Sequence, residues 1–153
     1  MIMEDCIFCK IIKGDIPCTK VYEDQSTIAF LDINPSIKGH VLVCTKKHYP
    51  TLLEVDKKEY ADLFSALKRI GKAVQEGLNA DGFNVRINNN RAAGQEVFHF
   101  HMHVLPRYDN DGKRFGLGHE KYENNEMKEY AEKLKSKINL ASFNKSIKNK
   151  EEQ

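Results

Sequence analysis

The stretch His99-Phe100-His101-Met102-His103-Val104-Leu105 alternates an imidazole with an apolar side chain. Successive side chains of a β-strand point to opposite faces. The pattern therefore predicts a strand from Val97 to Leu105, closed by Pro106, with His99, His101 and His103 along one side. Phe98, Phe100, Met102 and Val104 would enter a core on the other. Three of the six histidines of the chain fall in this run. Their strict register argues for a chemical face rather than one that is merely solvated. Two chemistries fit it. Alternate histidines can ligate a catalytic zinc that activates water, or a neutral imidazole held by a hydrogen bond can act as a nucleophile.

Just upstream, Gly94 and Gln95 precede the histidines, and Asn88 to Asn90 end the preceding extended segment. Amide donors on a flexible backbone suit phosphate oxygens, which points the histidine face toward phosphate esters. The segment Phe83 to Asn88 reads as the partner of the histidine strand across a polar Asn-Asn-Arg-Ala-Ala-Gly joint.

Earlier still, Tyr60, Leu63, Phe64, Leu67, Ile70, Val74 and Leu78 recur near every 3.6 residues and predict a long helix from Asp56 to Leu78. Asp56 with Glu59 resembles a capping box, and Asn79 with Gly82 supplies a stop. Thr19 to Tyr22, Thr27 to Leu31 and Gly39 to Thr45 read as three consecutive antiparallel strands separated by turn-forming residues. Ile7, Phe8, Ile11 and Ile12 predict a short helix that stops at Gly14 and Pro17. Met127, Tyr130, Ala131, Leu134 and Ile138 predict a last one. This order gives the α+β class, a five-stranded antiparallel sheet with one long and several short flanking helices, gathered to one side of it. One domain over 1–141 and a flexible polar tail over 142–153 are expected.

The 153 residues are 41% apolar and 30% charged, the composition of an ordinary globular protein able to stand on its own core. Twenty-four Lys and Arg against twenty-two Asp and Glu leave a charge of +2, too balanced to attract nucleic acid or an anionic membrane. No signal core or membrane span is seen, so a cytoplasmic protein with reduced thiols is expected. Cys6 and Cys9 form a C-x-x-C pair that can supply half of a tetrahedral zinc site or stand as two unliganded thiols on a short helix. Cys44 reads as core filler, Cys18 as exposed, and His119 as a surface residue.

Gly94-Gln95-Glu96-Val97-Phe98-His99-Phe100-His101-Met102-His103 resembles the signature of the histidine triad (HIT) family. The resemblance extends through Asp5 to Ile11, Phe30 to Ile33 and Gly39 to Val43, about two-thirds of the chain, and is similar to the bacterial Hint-type branch. It implies a HIT-like fold and a homodimeric nucleotide hydrolase or transferase acting on nucleoside phosphoramidates or dinucleoside polyphosphates, with an AMP-like product. By resemblance, His101 is the nucleophile that forms a nucleotidyl-histidine, His103 and His40 support it, and Asn88 and Gln95 position phosphate oxygens. Glu96 and Val97 complete that rim. Asp32 matches a ribose-binding carboxylate, although a turn-forming role is open to it from the residues alone. Phe8, Ile11, Phe30, Ile33 and Leu42 match a purine pocket, or plain core. Some bacterial members carry structural zinc on positions that correspond to Cys6, Cys9, His48 and His99, and the reaction requires no catalytic metal. Glu96 stands where Hint proteins carry a serine thought to help the leaving group. Two rivals remain at this point, a zinc hydrolase using the triad as ligands and a low-turnover nucleotide sensor.

Overall fold

The computed structural model describes residues 5–113 and 121–135, and the statements below concern these. The chain falls into two compact units divided after Lys113. The first unit holds a five-stranded antiparallel sheet with strands β1 (Lys20–Glu23), β2 (Thr27–Leu31), β3 (Val41–Thr45), β4 (Gly82–Arg86) and β5 (His101–Arg107). Their spatial order is β1-β2-β3-β5-β4. The histidine strand is thus inserted between β3 and β4, with neighbours on both sides.

Alternation along the strands sorts the core into two layers. Ala29, Val41, Val43, Met102 and Val104 pack on one face against Leu63, Leu67, Ile70 and Val74 of helix α2 (Tyr60–Leu78). Emptying one of these sites, as in Leu67→Ala, costs about 2–5 kcal/mol. A Cβ at Gly71 would run into the Phe83 ring, so glycine is what lets α2 settle this close to β4. On the other face Ile28, Phe30, Leu42 and Cys44 meet Cys6, Phe8 and Cys9 from the start of the chain. Cys6 caps helix α1 (Ile7–Lys13), and Gly14, at φ 89°, ends it by returning its backbone N–H to Ile11 O. The helices are therefore not gathered to one side. Long α2 covers one face and short α1 the other, because Phe8 and Cys9 present a small apolar patch that matches the second row of strand residues.

Three local expectations need correction. The histidine strand begins at His101 rather than Val97, and Phe98 lies outside it, half-buried. Pro106 is inside the strand, opposite Phe83. That is tolerated because pairing with β3 has already stopped at Val41 and Val104. The capping box belongs to Thr51 and Glu54, around a 3₁₀ turn at Leu52–Glu54. Asp56 is the N-cap residue of a second 3₁₀ turn, Lys57–Glu59, but its side chain makes no capping bond; its carboxylate accepts from Lys47 Nζ at 2.8 Å and Tyr49 OH at 2.7 Å. Along α2 the buried stripe is Leu63, Ala66, Leu67, Ile70, Gly71 and Val74, while Tyr60, Phe64 and Leu78 stand exposed.

The second unit contains helix α3 (Glu126–Lys135), which covers Met127, Tyr130, Ala131 and Leu134 of the last expected helix. Ile138, His119 and the tail at 142–153 lie outside the described residues. No described helix is long and apolar enough to cross a membrane.

Candidate active site and metal-ligand cluster

The late start of β5 divides the three histidines between two environments. His101 and His103 are two apart on the strand and share its α1 side, with ring centroids 4.8 Å apart. His99 precedes the strand and is fully buried among the cysteines of α1.

Around His99 the ligand atoms of Cys6, Cys9, His48 and His99 lie within 4.8 Å of one another. His99 Nδ1 is 3.5 Å from both Cys6 Sγ and Cys9 Sγ, and His48 Nδ1 is 3.3 Å from Cys9 Sγ. A tetrahedral zinc with ordinary Zn–S and Zn–N bonds has ligand–ligand edges of about 3.3–3.8 Å. The separations match such edges, and the Cys₂His₂ set is that of a closed structural site. His99 Nε2 also donates to Thr45 O at 2.7 Å, a bond that leaves Nδ1 with its lone pair toward the thiols. Burial, reinforced by the neighbouring Cys6 thiol, pushes the Cys9 thiol up to about 11. A bound dication would reverse that cost, because the ligand is the thiolate. These four residues can therefore hold a metal ion. Cys44 is buried beside them as expected, its thiol pushed well up by burial.

On the other side of His101 a cleft of about 360 Å³ opens between α1, the sheet and the loop after β4. Its apolar end is formed by Phe8, Ile11, Phe30 and Leu42, with Ile33 and Val97 at the margin. Phe8 meets Phe30 edge-on at 5.4 Å and the His101 ring at 5.1 Å. His101, His103, Asn88 and Glu96 line the polar end. A flat apolar slot that gives way to clustered polar groups suits a ligand with a ring at one end and an anionic ester at the other.

The buried His101 ring is oriented by one strong contact. Its Nδ1–H donates to His99 O at 2.6 Å, leaving Nε2 with no protein partner among the described residues. Burial lowers its pKa, so the ring is neutral near pH 7 and Nε2 carries a lone pair. His103 Nδ1 and His40 Nε2 share a hydrogen bond of 2.9 Å. Behind them, His40 Nδ1 lies 3.3 Å from Ser36 N–H and 3.3 Å from Asp32 Oδ2. A proton on His40 Nδ1 faces the Asp32 carboxylate; a lone pair there accepts from Ser36. The His40 tautomer thus decides whether His103 Nε2 offers the cleft a donor or an acceptor. Burial is the main force that lowers both rings, with His103 brought to about 4 by the added charges of His101, His40 and Arg86.

Asp32 lines the cleft and also closes an Asx turn, accepting Asn34 N–H at 2.9 Å. The turn-forming reading of this residue therefore holds, beside its place in the cleft wall. Gln95 departs from expectation. Its amide is turned away from the cleft and is saturated by Asn90 N–H at 2.8 Å, Pro50 O at 2.7 Å and Val97 O at 3.1 Å. It shapes the loop and has no donor left for phosphate. Cys18, expected to be exposed, sits half-buried in the cleft wall. Arg86, Ser36 and Asn34 also line the cleft and were not anticipated. Only strand register reveals Arg86, which is directly opposite His103.

His40, His103 and His101 thus form a chain of neighbouring imidazoles along the cleft. The HIT domain family matches residues 13–110, and the chain belongs to that family, with Hint-like relatives. It is 41% identical over 135 residues to adenosine 5'-monophosphoramidase hnt1 of Schizosaccharomyces pombe, covering 87% of this chain and 98% of that one. It is 44% identical over 110 residues to adenylylsulfatase HINT3 of Arabidopsis thaliana, covering 72% and 56%. Among solved structures, SMU.412c of Streptococcus mutans superimposes with a TM-score of 0.83 at 41% identity, covering 89% of this chain and 87% of that one. A Zn-bound histidine triad family protein of Mycobacterium smegmatis gives 0.67 at 38% identity, covering 81% and 87%.

Proposed function

We propose that this protein is a nucleotidyl hydrolase or transferase that works through a covalent nucleotidyl-histidine on His101, with a purine ribonucleotide held in the cleft. The observation that carries the reading is the His101 ring, locked by His99 O so that its remaining lone pair is presented at the polar end of a nucleoside-sized slot. The names of the two relatives, a monophosphoramidase and an adenylylsulfatase, support chemistry at the phosphorus next to an adenosine.

In the first step the His101 Nε2 lone pair attacks the α-phosphorus. The P–N bond to the ring forms as the bond to the leaving group breaks, and the leaving group departs with that electron pair, taking a proton from solvent if it is an amine. In the second step a water oxygen attacks the same phosphorus, the ring recovers its electron pair, and the water proton is lost to solvent as AMP-like product leaves. His103, backed by His40, contacts the phosphoryl oxygens, and Asn88 adds an amide donor. Asp32 receives the ribose hydroxyls, and Phe8, Ile11, Phe30, Ile33, Leu42 and Val97 enclose the base. Glu96 lies on the leaving-group rim. Mass spectrometry of protein quenched during turnover of adenosine 5'-phosphoramidate tests this. A nucleotidyl adduct on the His101 peptide is expected, and turnover without any adduct overturns it.

Zinc bound by Cys6, Cys9, His48 and His99 would serve as a structural tie between α1 and the start of β5, and supply no chemistry to the cleft. The reaction as drawn uses only side chains. Four free cysteines are in keeping with a reducing, cytoplasmic setting. A homodimer is the proposed assembly. Edge strand β4 is open on its outer side in the sheet order, and Phe64 of α2 is 62% exposed, with Tyr60 one turn before it. Phe64→Glu should then convert a dimer to monomers in sedimentation velocity; a wild-type monomer would dismiss the dimer. One domain ending near 141, with a separate tail, stays part of this proposal.

A further inference from the structure

The sheet register lines up one row of side chains across four strands. Phe30 is opposite Leu42, Leu42 opposite His103, and His103 opposite Arg86. Directly opposed residues of antiparallel strands share a face and are separated by about 5 Å from strand to strand. All four line the cleft. Its floor therefore changes from aromatic and aliphatic, to imidazole, to guanidinium in equal steps. If the base rests on Phe30 and Leu42 and the α-phosphorus is over His101 and His103, the next group along the row lies over Arg86.

We propose that Arg86 binds the leaving group and selects those that carry negative charge, a sulfate or a further phosphoryl group, over neutral amines. The proposal rests on the nucleotidyl-transfer reading above and adds to it the class of substrate. An arginine offers a planar fork of donors matched to the paired oxygens of such groups, and a bond of this kind strengthens as charge builds on the leaving oxygen. An amine has no oxygens for the fork and gains nothing from its charge.

The surrounding charges sharpen the expectation. Glu96 also lines the cleft and opposes an anion, whereas Asp32 is on the far side of His40 in the hydrogen-bonded chain. The positive charge of Arg86 reaches the reacting end of the cleft, where it opposes protonation of both His40 and His103. A sulfate or phosphoryl leaving group also departs as a stable anion and asks for no proton. That fits a site with Glu96 in place of the family's serine.

The test compares adenosine 5'-phosphosulfate with adenosine 5'-phosphoramidate in wild type, Arg86→Met and Arg86→Lys. Arg86→Met should lower kcat/KM for the phosphosulfate by about 30-fold, leaving the phosphoramidate within about threefold. Arg86→Lys should recover part of the loss, since it keeps the charge without the fork. AMP affinity should stay at its wild-type value, because AMP ends before Arg86. Equal loss on both substrates, or loss on neither, overturns the role of Arg86 and leaves the nucleotidyl-histidine standing. Failure of the wild type to turn over either substrate or to form an adduct sinks the underlying reading instead.

Discussion

His99 and His101 are two residues apart, and the molecule uses them in opposite ways. His99 is sealed among Cys6, Cys9 and His48, with both ring nitrogens engaged, while His101 has one nitrogen tied and the other facing a cleft. The same α1 residues bound both places. Cys6 and Cys9 face the cluster, and Phe8 between them touches the rings of His99 and His101, at 5.9 and 5.1 Å. The carbonyl that aims His101 belongs to His99 itself. What looks in the chain like three equal histidines is one ring among thiols followed by two at a cleft, and the first orients its neighbour through a single backbone oxygen.

The largest effect expected from this division is on His101. His101→Ala should reduce turnover by about 10⁴-fold or more while AMP affinity changes by less than about tenfold, since the missing nitrogen acts on the transition state rather than on bound nucleotide. Turnover within a few-fold of wild type would erase the difference between the two histidines. It would also revive the low-turnover sensor or a metal-dependent route, which a chelation experiment on activity separates.

The opposite break is made at the cluster. Cys9→Ser, or chelation of the wild type, should remove bound zinc as read by elemental analysis and lower the melting temperature by roughly 10–20 °C. That is the size expected when a ligand present at about 1,000 times its dissociation constant is lost from a domain near 100 residues. The core on the α2 face should keep the chain folded. A variant without metal yet with unchanged melting temperature would show the four residues to be ordinary core.

The division was only half legible in the sequence. Alternation correctly placed His101 and His103 on one face, because it depends solely on strand geometry. It placed His99 on that face as well, where Cys6, Phe8 and Cys9 meet it, but it drew the strand too early, because where a strand begins is decided by pairing partners, and β3 offers its last partner, Cys44, to His101. Asp32, Phe30 and Leu42 were singled out by resemblance, and the structure places all three in the cleft wall. Arg86 was missed since an exposed arginine on an edge strand has no local mark, and only the register across β5 reveals its neighbour. Phe64 fits the helical period well enough to pass for core; exposure separates it from Leu63 and Leu67. Thr51-Leu52-Leu53-Glu54 carried the capping pattern as clearly as Asp56 with Glu59, and the choice fell to tertiary demands, with Lys47 and Tyr49 claiming the Asp56 carboxylate.

A smaller effect tests the far end of the working half. Asp32→Ala should weaken AMP binding by about tenfold, roughly 1.4 kcal/mol, and 2'-deoxy-AMP by less, as expected of a carboxylate that accepts from the ribose hydroxyls. Equal weakening of both ligands would assign Asp32 to its Asx turn and to His40 rather than to ribose.

The smallest effect joins the two halves through protons. Burial brings both His99 and His103 to about 4, against the ordinary 6.5 of an unfolded histidine, and His40, His48 and His101 are shifted in the same direction. Between those values the unfolded chain binds protons that the folded one refuses, so stability rises with pH across the window. It is complete above about 6.5 and drains away as pH falls toward 4. In metal-free protein each of the two strongly shifted rings should cost less than about 1 kcal/mol between pH 7 and pH 6, a drop of a few degrees in melting temperature. Zinc-loaded protein should lose more per pH unit over the same range, because protons then compete with metal for His99, His48 and the two thiolates. His103→Asn should flatten the metal-free profile and leave the extra zinc-dependent slope intact. A zinc-dependent slope that vanished with His103 would mean that the cluster and the cleft titrate as one site.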